Sequence, residues 1–325
     1  MTPNYPAKQP LAFLPTPLHP LERLSAHLNG PELWIKRDDL TGLAGGGNKT
    51  RKLEYLLASA QAQGCDYIIT VGGQQSNHCR QTAAAAARLG LGCGLVFSGE
   101  QTDGAQGNRL LDELCGAHVY WAGDQERSGM AQEVARQVTS IGRTPFIIPL
   151  GGSNVVGATG YVAAMGELMQ QVEAARLNLD FIVVASSSGG TQAGMTLGAE
   201  VYDFRGRVLG ISIDNSAETL TTQVAALATA TATHLGLGLI NIADRIEVND
   251  EYSEPGYGVL TPVEKEAIEI VAQKEGILLD PVYTGRAMAG LIDLIRWGAF
   301  TRRQRILFWH TGGFPTLFAY ADRLV

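Results

Sequence analysis

Segments rich in β-branched and aromatic residues alternate with segments of helical periodicity along most of this 325-residue chain. Such alternation produces parallel sheets that are covered by helices on both faces. The sequence therefore predicts an α/β protein with twisted, mostly parallel sheets. Strands are predicted at 33–36, 67–71, 93–97, 118–121, 146–148, 181–185, 208–213, 245–248 and 306–310, and helices at 77–89, 155–174, 191–204, 262–275 and 285–297.

The composition and net charge of the chain argue against several classes of function. Hydrophobic residues make up 45% of the chain and charged residues 18%, which favours a large core over a disordered tail. The net charge of −7 argues against nucleic acid or an anionic membrane as a partner. Residues 1–20 do not resemble a signal peptide, and no apolar run approaches the ~18 residues of a membrane span. The four cysteines form no CxxC pair, so we expect a cytoplasmic protein without a disulfide framework.

A glycine run that leads into a helix carries the first candidate catalytic residue. Residues 45–47 precede Asn48, a suitable N-cap, and Leu53 begins an apolar stripe with helical spacing. Lys49 lies on the buried side of that stripe, where burial and the helix dipole lower the pKa of an amine. Such an amine can form a Schiff base with a carbonyl cofactor. A solvated lysine is one alternative. A phosphate loop is another, but it needs glycine directly before the lysine.

Three further clusters lie where a predicted strand ends and a predicted helix begins. In residues 72–78, Ser76 or Asn77 caps a helix whose free amides suit a carboxylate. Residues 186–194 combine glycines, hydroxyls and a helix start, which suit a single phosphate rather than a dinucleotide. Residues 280–285 place an aromatic face beside a hydroxyl. Each cluster alone is also compatible with an ordinary cap or a packed turn.

A buried lysine, a monophosphate site and a tyrosine face are the parts that hold pyridoxal phosphate. The segments GGGNKTRKLE, QQSNHCRQTAA, SGGTQAGM and DPVYTGRAMAGLI resemble the D-cysteine desulfhydrase and aminocyclopropane-carboxylate deaminase family, which belongs to the tryptophan-synthase-β-like enzymes of fold type II. The resemblance runs from Pro15 to Gly313. It implies pyridoxal 5'-phosphate as the cofactor, a small amino acid as the substrate, and a homodimer.

The positions of the motifs also predict a division into two domains. Lys49 and Ser76 flank or enter the compact alternation at 52–158, whereas the phosphate loop and Tyr283 lie outside it. We therefore expect a smaller domain at 52–158, inserted into a larger cofactor-binding domain made of 1–51 and 159–325. The cofactor is expected in the cleft between them.

The resemblance also implies a role for individual residues. Lys49 would form the Schiff base and act as the base at Cα, Lys52 would lie near the phosphate, and Asn77 would bond the phenolic oxygen of the cofactor. Tyr283 would stack on the pyridine ring, and Thr284 would face its nitrogen. The phosphate would be held by Gly189, Gly190, Thr191, Gln192, Ala193 and Gly194. The substrate would be bound by Gln75, Ser76, Asn77, His78, Tyr257, Thr311 and Gly312, with Ser76, Tyr257 and Tyr283 sharing in catalysis.

Neither of two prominent histidines predicts a metal site. His78 and His310 have no partner at ligand spacing. His310 ends an apolar strand and is expected to be a hydrogen-bonded core residue. We predict no metal.

Two positions distinguish the branches of the family. Deaminases carry glutamate after the stacking tyrosine and HLGG near the end, whereas this chain has Thr284 and His310-Thr311-Gly312-Gly313. A carboxylate makes the pyridine ring a strong electron sink, and a hydroxyl makes it a weaker one that suffices for a good β-leaving group. The resemblance thus implies α,β-elimination of a D-amino acid, D-cysteine giving pyruvate, hydrogen sulfide and ammonia. A cysteate sulfo-lyase, a 1-aminocyclopropane-1-carboxylate deaminase and a non-enzymatic phosphometabolite-binding sensor remain alternatives.

Overall fold

A computed structural model of the chain describes residues 2–102, 104–238 and 242–325. Within these ranges the strands are β1 Leu18–Pro20, β2 Glu32–Arg37, β3 Tyr67–Gly72, β4 Gly92–Phe97, β5 His118–Trp121, β6 Pro145–Ile148, β7 Phe181–Ser186, β8 Arg207–Ser212, β9 Ile246–Asn249 and β10 Arg305–His310. The helices are α1 Glu22–Leu28, α2 Lys49–Ala62, α3 Asn77–Arg88, α4 Gly107–Leu114, α5 Arg127–Ser140, α6 Val155–Ala174, α7 Gly190–Val201, α8 Ala217–His234, α9 Pro262–Glu275, α10 Thr284–Arg296 and α11 Ala321–Leu324.

The strands form two sheets. One has six strands in the order β1-β2-β10-β7-β8-β9, and the other has four in the order β5-β4-β3-β6. Every pairing within the described residues is parallel except that of β1 with β2. The predicted α/β class is therefore confirmed. Each predicted strand matches an observed one to within one residue at either end, and β1 is the one strand of the described residues that was not predicted.

The central strands are apolar because helices cover both faces of each sheet. Every residue of β3 is buried, as are five of the six residues in each of β7, β8 and β10. Helices α6 and α7 pack closely at two glycines of α7. A Cβ atom at Gly194 would lie 2.3 Å from the carbonyl oxygen of Ala158, and one at Gly198 would lie 2.6 Å from Cβ of Met165. This close contact holds α7 against α6 and so fixes the position of the first turn of α7.

A buried ionic cluster anchors the first turn of α2. Arg51 bonds to Asp38 (2.8 Å) and to Glu167 on α6 (2.9 Å), and Glu167 also pairs with Lys36 (2.5 Å). Burial alone would raise the pKa of Asp38, but the charge and hydrogen bonds of Arg51 outweigh it and lower that pKa to about 2. The cluster ties α2 to β2 and to α6, and so fixes the position of the residue that begins α2.

The proposed domain boundaries both fall inside helices. The boundary at 51/52 lies in the first turn of α2, and the boundary at 158/159 lies in the first turn of α6. All four strands of the smaller sheet lie within 52–158, and all strands of the larger sheet lie outside it. The division itself stays a prediction. No helix within the described residues is both long enough and apolar enough to cross a membrane.

Candidate active site

A cavity of about 250 Å³ lies at the carboxyl ends of strands from both sheets. Loops that follow β3, β7, β8 and β10 contribute to its wall. This is the usual location of ligands in parallel α/β structures. The predicted site residues that line the cavity are Lys49, Ser76, Asn77, His78, Gly189, Thr191, Tyr257, Tyr283 and Thr311.

The glycine run shapes the turn that presents Lys49. Gly45, Gly46 and Gly47 all have positive φ, and a Cβ atom at Gly46 would lie 1.8 Å from the carbonyl oxygen of Asp39. Lys49 is the first residue of α2 and lines the cavity. Burial lowers the pKa of its amine to about 8, in the predicted direction. About a tenth of such an amine is neutral, and therefore nucleophilic, at pH 7, which is far more than for an ordinary lysine.

Asn48 occupies the N-cap position of α2, but its side chain does not cap the helix as predicted. Its backbone is already helical, with φ −60° and ψ −23°, whereas a capping residue has an extended conformation. Its Nδ2 atom instead donates to the hydroxyl of Thr191 (3.1 Å) on α7. The side chain thus links the lysine turn to the start of α7.

The first turn of α7 and Lys52 form a site of phosphate size. Gly189 has a φ of +74°, and a Cβ atom at Gly190 would lie 2.4 Å from Ser153 Oγ and 2.9 Å from Lys52 Nζ. Lys52 is fully buried and donates to the carbonyl of Gly151 (3.0 Å) and to Ser153 Oγ (3.3 Å). Within the described part of the chain it pairs with no carboxylate. Burial and the charge of Lys49 lower its pKa.

These features fit a phosphate dianion. A buried lysine without a carboxylate partner lies beside the positive end of a helix of 12 residues. An anion bound there would restore the charge balance that Lys52 lacks, and the missing side chain of Gly190 leaves room for the anion to approach the backbone.

The second half of the predicted phosphate loop faces the protein interior. Gln192 is fully buried, and its Nε2 donates to the carbonyl of Glu247 (2.8 Å). Ala193 packs in the core beside α8, and its N–H donates to the carbonyl of Gly189 (2.8 Å). Gly194 lies against α6. The structure therefore does not bring the side chains of these three residues to the cavity.

The start of α3 offers several donors to a ligand. Ser76 caps the helix, as predicted, by accepting the N–H of Cys79 (3.2 Å), so its own proton is available. Asn77 Oδ1 accepts from Asn108 (2.8 Å) and Thr316 (3.3 Å), which leaves its Nδ2 group free to donate into the cavity. Gln75 does not line this cavity, because its side chain accepts the N–H of Asn108 (2.9 Å) at an adjoining cavity.

His78 lines the cavity, and its hydrogen bonds determine which of its ring nitrogens carries the hydrogen. It is 3% exposed, and its Nε2 lies 2.8 Å from the hydroxyl of Thr70. That hydroxyl donates to the carbonyl of Ile148 (2.9 Å), so Nε2 must carry the hydrogen. Nδ1 is then an unprotonated acceptor, and it has no partner among the described residues. Burial and the charges of Lys49 and Lys52 lower the pKa of His78, which keeps the ring neutral.

Two tyrosines face the cavity as a hydrogen-bonded pair. The hydroxyl of Tyr283 donates to that of Tyr257 (3.1 Å), and the ring planes meet at 70°. Burial raises the pKa of Tyr283 well above its ordinary value. Tyr257 is 43% exposed, and its pKa is also raised, so both hydroxyls stay protonated near neutral pH. Asp280 holds this loop by accepting the N–H groups of Val282 (3.1 Å) and Tyr283 (3.0 Å).

Thr284, Gly312 and Lys52 lie just behind the cavity wall. The hydroxyl of Thr284 is fully buried and donates to Asp280 Oδ1 (2.7 Å). Gly312 has a φ of +93°, and a Cβ atom there would lie 2.7 Å from Cα of Gly47. This contact packs the loop after β10 against the lysine turn and leaves Thr311 on the cavity.

His310 is the buried, hydrogen-bonded residue that the sequence predicts. It is 1% exposed, its Nδ1 accepts the N–H of Gly312 (3.2 Å), and its Nε2 donates to the carbonyl of Leu278 (3.2 Å). Burial lowers its pKa. Among the residues that the structure describes, no group of three or more His, Cys, Asp or Glu side chains could hold a metal ion.

Several residues of the cavity wall were not predicted. Arg127 begins α5, Ser98 follows β4, and Asp214 follows β8. All three occupy the strand-to-helix positions that drew attention to Ser76 and Gly189. Their location between a strand and a helix is a signal that could have identified them, but no glycine-rich motif marks them in the sequence.

The comparisons with known proteins agree with this geometry. A family model described as "Pyridoxal-phosphate dependent enzyme" matches residues 10–312. A D-cysteine desulfhydrase of Klebsiella pneumoniae (strain 342) is 45% identical over 316 residues, which cover 95% of each chain. A putative 1-aminocyclopropane-1-carboxylate deaminase of Pyrococcus furiosus is 44% identical over 95% of this chain and 93% of its own.

Solved structures extend the comparison. The crystal structure of an ACC deaminase homologue superposes with a TM-score of 0.90 at 40% identity, covering 98% of this chain and 95% of the other. A fungal L-serine ammonia-lyase from Rhizomucor miehei has a TM-score of 0.70 at 16% identity over 98% of this chain and 100% of its own. The second likeness shows a shared fold.

Proposed function

The chain belongs to the family of pyridoxal-phosphate dependent enzymes, and we propose that it is a lyase that eliminates the β-substituent of a D-amino acid, with D-cysteine as its main substrate. In the net reaction, D-cysteine and water give pyruvate, hydrogen sulfide and ammonia. The observation that carries this proposal is one cavity that joins a lysine of lowered pKa to a site of phosphate size.

Different residues of the cavity would bind different groups of the cofactor. Lys49 would attach the cofactor covalently, and Lys52 with the free N–H groups at the start of α7 would bind its phosphate. Asn77, with its free Nδ2 group, would donate to the phenolic oxygen of the cofactor, and Tyr283 would provide an aromatic face. When bound, pyridoxal phosphate supplies an electron sink for the electrons left when the Cα–H bond breaks.

Proton transfer at Cα falls to Lys49. Its pKa of about 8 lets it accept a proton near neutral pH, which an ordinary lysine with a pKa of 10.5 does poorly. Ser76 and the free amides at the start of α3 hold the substrate carboxylate. The proton of Tyr283 is donated to Tyr257, so the phenolic proton available to the substrate is that of Tyr257.

The remaining predicted residues stay proposals with supporting roles. Thr311 would contact the substrate from the loop after β10. Thr284 would act on the ring nitrogen as a hydroxyl rather than a carboxylate, which favours elimination over opening of a cyclopropane ring. Ring opening is the second candidate function, because two relatives are named for it.

Release of keto acid and ammonia from a set of substrates tests the proposed function. The set contains D-cysteine, L-cysteine, cysteate and 1-aminocyclopropane-1-carboxylate. We expect D-cysteine to have the highest kcat/KM. A higher value for the cyclopropane substrate would refute the elimination assignment, and a colourless protein that does not bind the cofactor would favour the sensor.

We further propose that the chain works in the cytoplasm as a homodimer. Its four cysteines are free thiols, as in a reducing compartment. Phe318 is 60% exposed and Leu114 74% exposed, and Phe318 packs on Phe314 with ring centroids 5.3 Å apart. These side chains suit a subunit interface. Light scattering should give twice the mass of one chain, and Phe318→Ser should lower it.

A further inference from the structure

An arginine that the assigned machinery does not use lines the active-site cavity. Arg127 is the first residue of α5 and shares the cavity wall with Ser76 and Ser98. It is partly buried. Among residues 2–102, 104–238 and 242–325, its guanidinium group has no hydrogen-bond acceptor and no carboxylate partner. A guanidinium group in a cavity without an acceptor is suited to bind an anion from solution.

Arg127 lies near the start of α3, which the proposed function assigns to the substrate. Burial raises the pKa of the Cys79 thiol, and the nearby charge of Arg127 opposes that shift. Cys79 is in the first turn of α3, and its N–H bonds to Ser76. The charge of Arg127 therefore acts near the start of α3. Lys52 and Gly190 form the phosphate end of the site on other elements.

The substrate carboxylate does not need this arginine. The N–H groups of Asn77 and His78 are the first two of α3 and have no intrahelical acceptor. Together with the hydroxyl of Ser76 they provide three donors for one carboxylate. Arg127, as a further cation near the start of α3, is therefore available to bind a second anionic group on the substrate.

We propose that Arg127 binds a negatively charged sulfur substituent on Cβ of the substrate, a thiolate or a sulfonate. This inference rests on the proposed function and specifies its substrate class. In the elimination, the Cα proton passes to Lys49, a double bond forms between Cα and Cβ, and the Cβ–S bond breaks with its electron pair leaving on sulfur. Water then converts the released enamine to pyruvate and ammonia. A sulfonate departs directly as sulfite, whereas a thiolate takes up the proton that Lys49 removed from Cα and departs as hydrosulfide. In both cases Arg127 stabilises the negative charge on the departing sulfur group.

Three substrates with different β-substituents test the proposal in the holoenzyme. Cysteate carries a sulfonate, D-cysteine a thiol that ionises with rising pH, and β-chloro-D-alanine a neutral substituent. In Arg127→Gln we expect kcat/KM to fall about tenfold to a hundredfold for cysteate, and less than about threefold for β-chloro-D-alanine. The loss for D-cysteine should grow as pH rises and the thiolate forms. Arg127→Lys should recover part of the cysteate activity.

Arg136→Gln provides the matched control. Arg136 is on the same helix but is exposed and paired with Glu133 (2.6 Å). The substitution removes the same charge from the protein, and it should leave all three kcat/KM values unchanged. An equal loss for all three substrates in Arg127→Gln would overturn the proposal, because it would place Arg127 on the common carboxylate or in a structural role. No loss for cysteate would overturn it too.

A binding measurement separates this inference from the proposed function. By calorimetry, malonate should bind the wild-type holoenzyme at least about tenfold more tightly than propionate, which has the same length but one charge. That difference should disappear in Arg127→Gln and persist in Arg136→Gln. If the wild-type protein eliminates from none of the three substrates, the proposed function is wrong, and the malonate result still decides whether Arg127 binds a second anion. Equal binding of both acids to the wild type would overturn the inference.

Discussion

Replacing Arg286 with methionine tests whether a buried ion pair holds the loop that carries Tyr257. Arg286 is fully buried, and it bonds to Glu264 Oε1 (2.7 Å) and to the carbonyls of Gly256 (2.9 Å) and Val259 (2.7 Å). A further carbonyl just after β8 accepts from it at 2.7 Å. The two loop carbonyls flank Tyr257 in the chain. The arginine therefore fixes the loop on both sides of the tyrosine.

The structure sets the expected size of the effect. Methionine offers no donor, so it leaves one carboxylate oxygen and three carbonyls without that partner. Removing one member of a buried ion pair costs about 3–5 kcal/mol of unfolding free energy. The second oxygen of Glu264 keeps the N–H of Thr261 (2.9 Å), so we expect about 3 kcal/mol, the low end of that range. Because Tyr257 loses its support, kcat/KM should also fall by about tenfold to a hundredfold.

Urea unfolding followed by tryptophan fluorescence measures the stability change, and keto-acid release measures the activity. Arg296→Met is the matched control, because Arg296 is on the same helix and pairs with Glu266 (2.7 Å), but the two side chains are 40% and 48% exposed. Its loss should cost less than about 1 kcal/mol. Adding Glu264→Gln to Arg286→Met should recover part of the loss, since it removes the buried charge.

Two results would refute the reasoning. Similar destabilisation by Arg286→Met and Arg296→Met would show that burial of the pair does not set its strength. An Arg286→Met variant that is destabilised but keeps its full kcat/KM would show that the Tyr257 loop holds its position without the arginine.

Four further predictions concern the cofactor site. Lys49→Ala should abolish the covalent, borohydride-reducible attachment of the cofactor, and peptide mapping that finds another labelled lysine would contradict the assignment. Because burial lowers the pKa of Lys49 to about 8, attachment to the apoprotein should accelerate as pH rises to 8 and level off above it; a midpoint near the ordinary value of 10.5 would oppose this. Lys52→Met should weaken cofactor binding at least about tenfold in an absorbance titration, with Lys265→Met, at a lysine on α9 whose side chain is 38% exposed, as control. Thr284→Glu should slow elimination from D-cysteine and increase side reactions, and an unchanged product ratio would count against that role.

The fold could be predicted closely because local signals agree with the tertiary structure. Helix α9 begins at the predicted residue because Thr261 and Glu264 form a capping box around Pro262, and it ends at Gly276 in the left-handed conformation. The predicted helix 191–204 runs three residues past the observed end of α7 at Val201, because nothing in the sequence marks Asp203 as a residue of positive φ. Strand β1 was missed because its three residues pair only with β2 and show no alternation of their own.

The site could be predicted to the level of loops but not of side-chain directions. A motif that resembles a family identifies the loop after β7, but helix phase decides which residues face a ligand. Thr191 therefore lines the cavity while Gln192 bonds to β9 behind it. Arg127 was missed for a related reason. Its proposed role depends on a guanidinium group that has no acceptor among the described residues of the folded chain. A single sequence does not show which arginines are paired.

The chemistry of Thr284 also depends on a contact that the sequence does not show. The sequence has no acidic residue from 281 to 290, but Asp280 immediately precedes that segment and bonds to Thr284. The Thr284 hydroxyl gives its proton to Asp280 (2.7 Å) and accepts the N–H of Asp280 (2.8 Å), so it retains one lone pair and no free proton. It therefore has no proton to donate to a neutral ring nitrogen. A glutamate at 284 would place a second carboxylate beside a fully buried one, and the like charges would raise the pKa of one of them. Thr284→Glu should therefore be compared with Thr284→Glu combined with Asp280→Asn, since only in the second variant is the new carboxylate free of that repulsion.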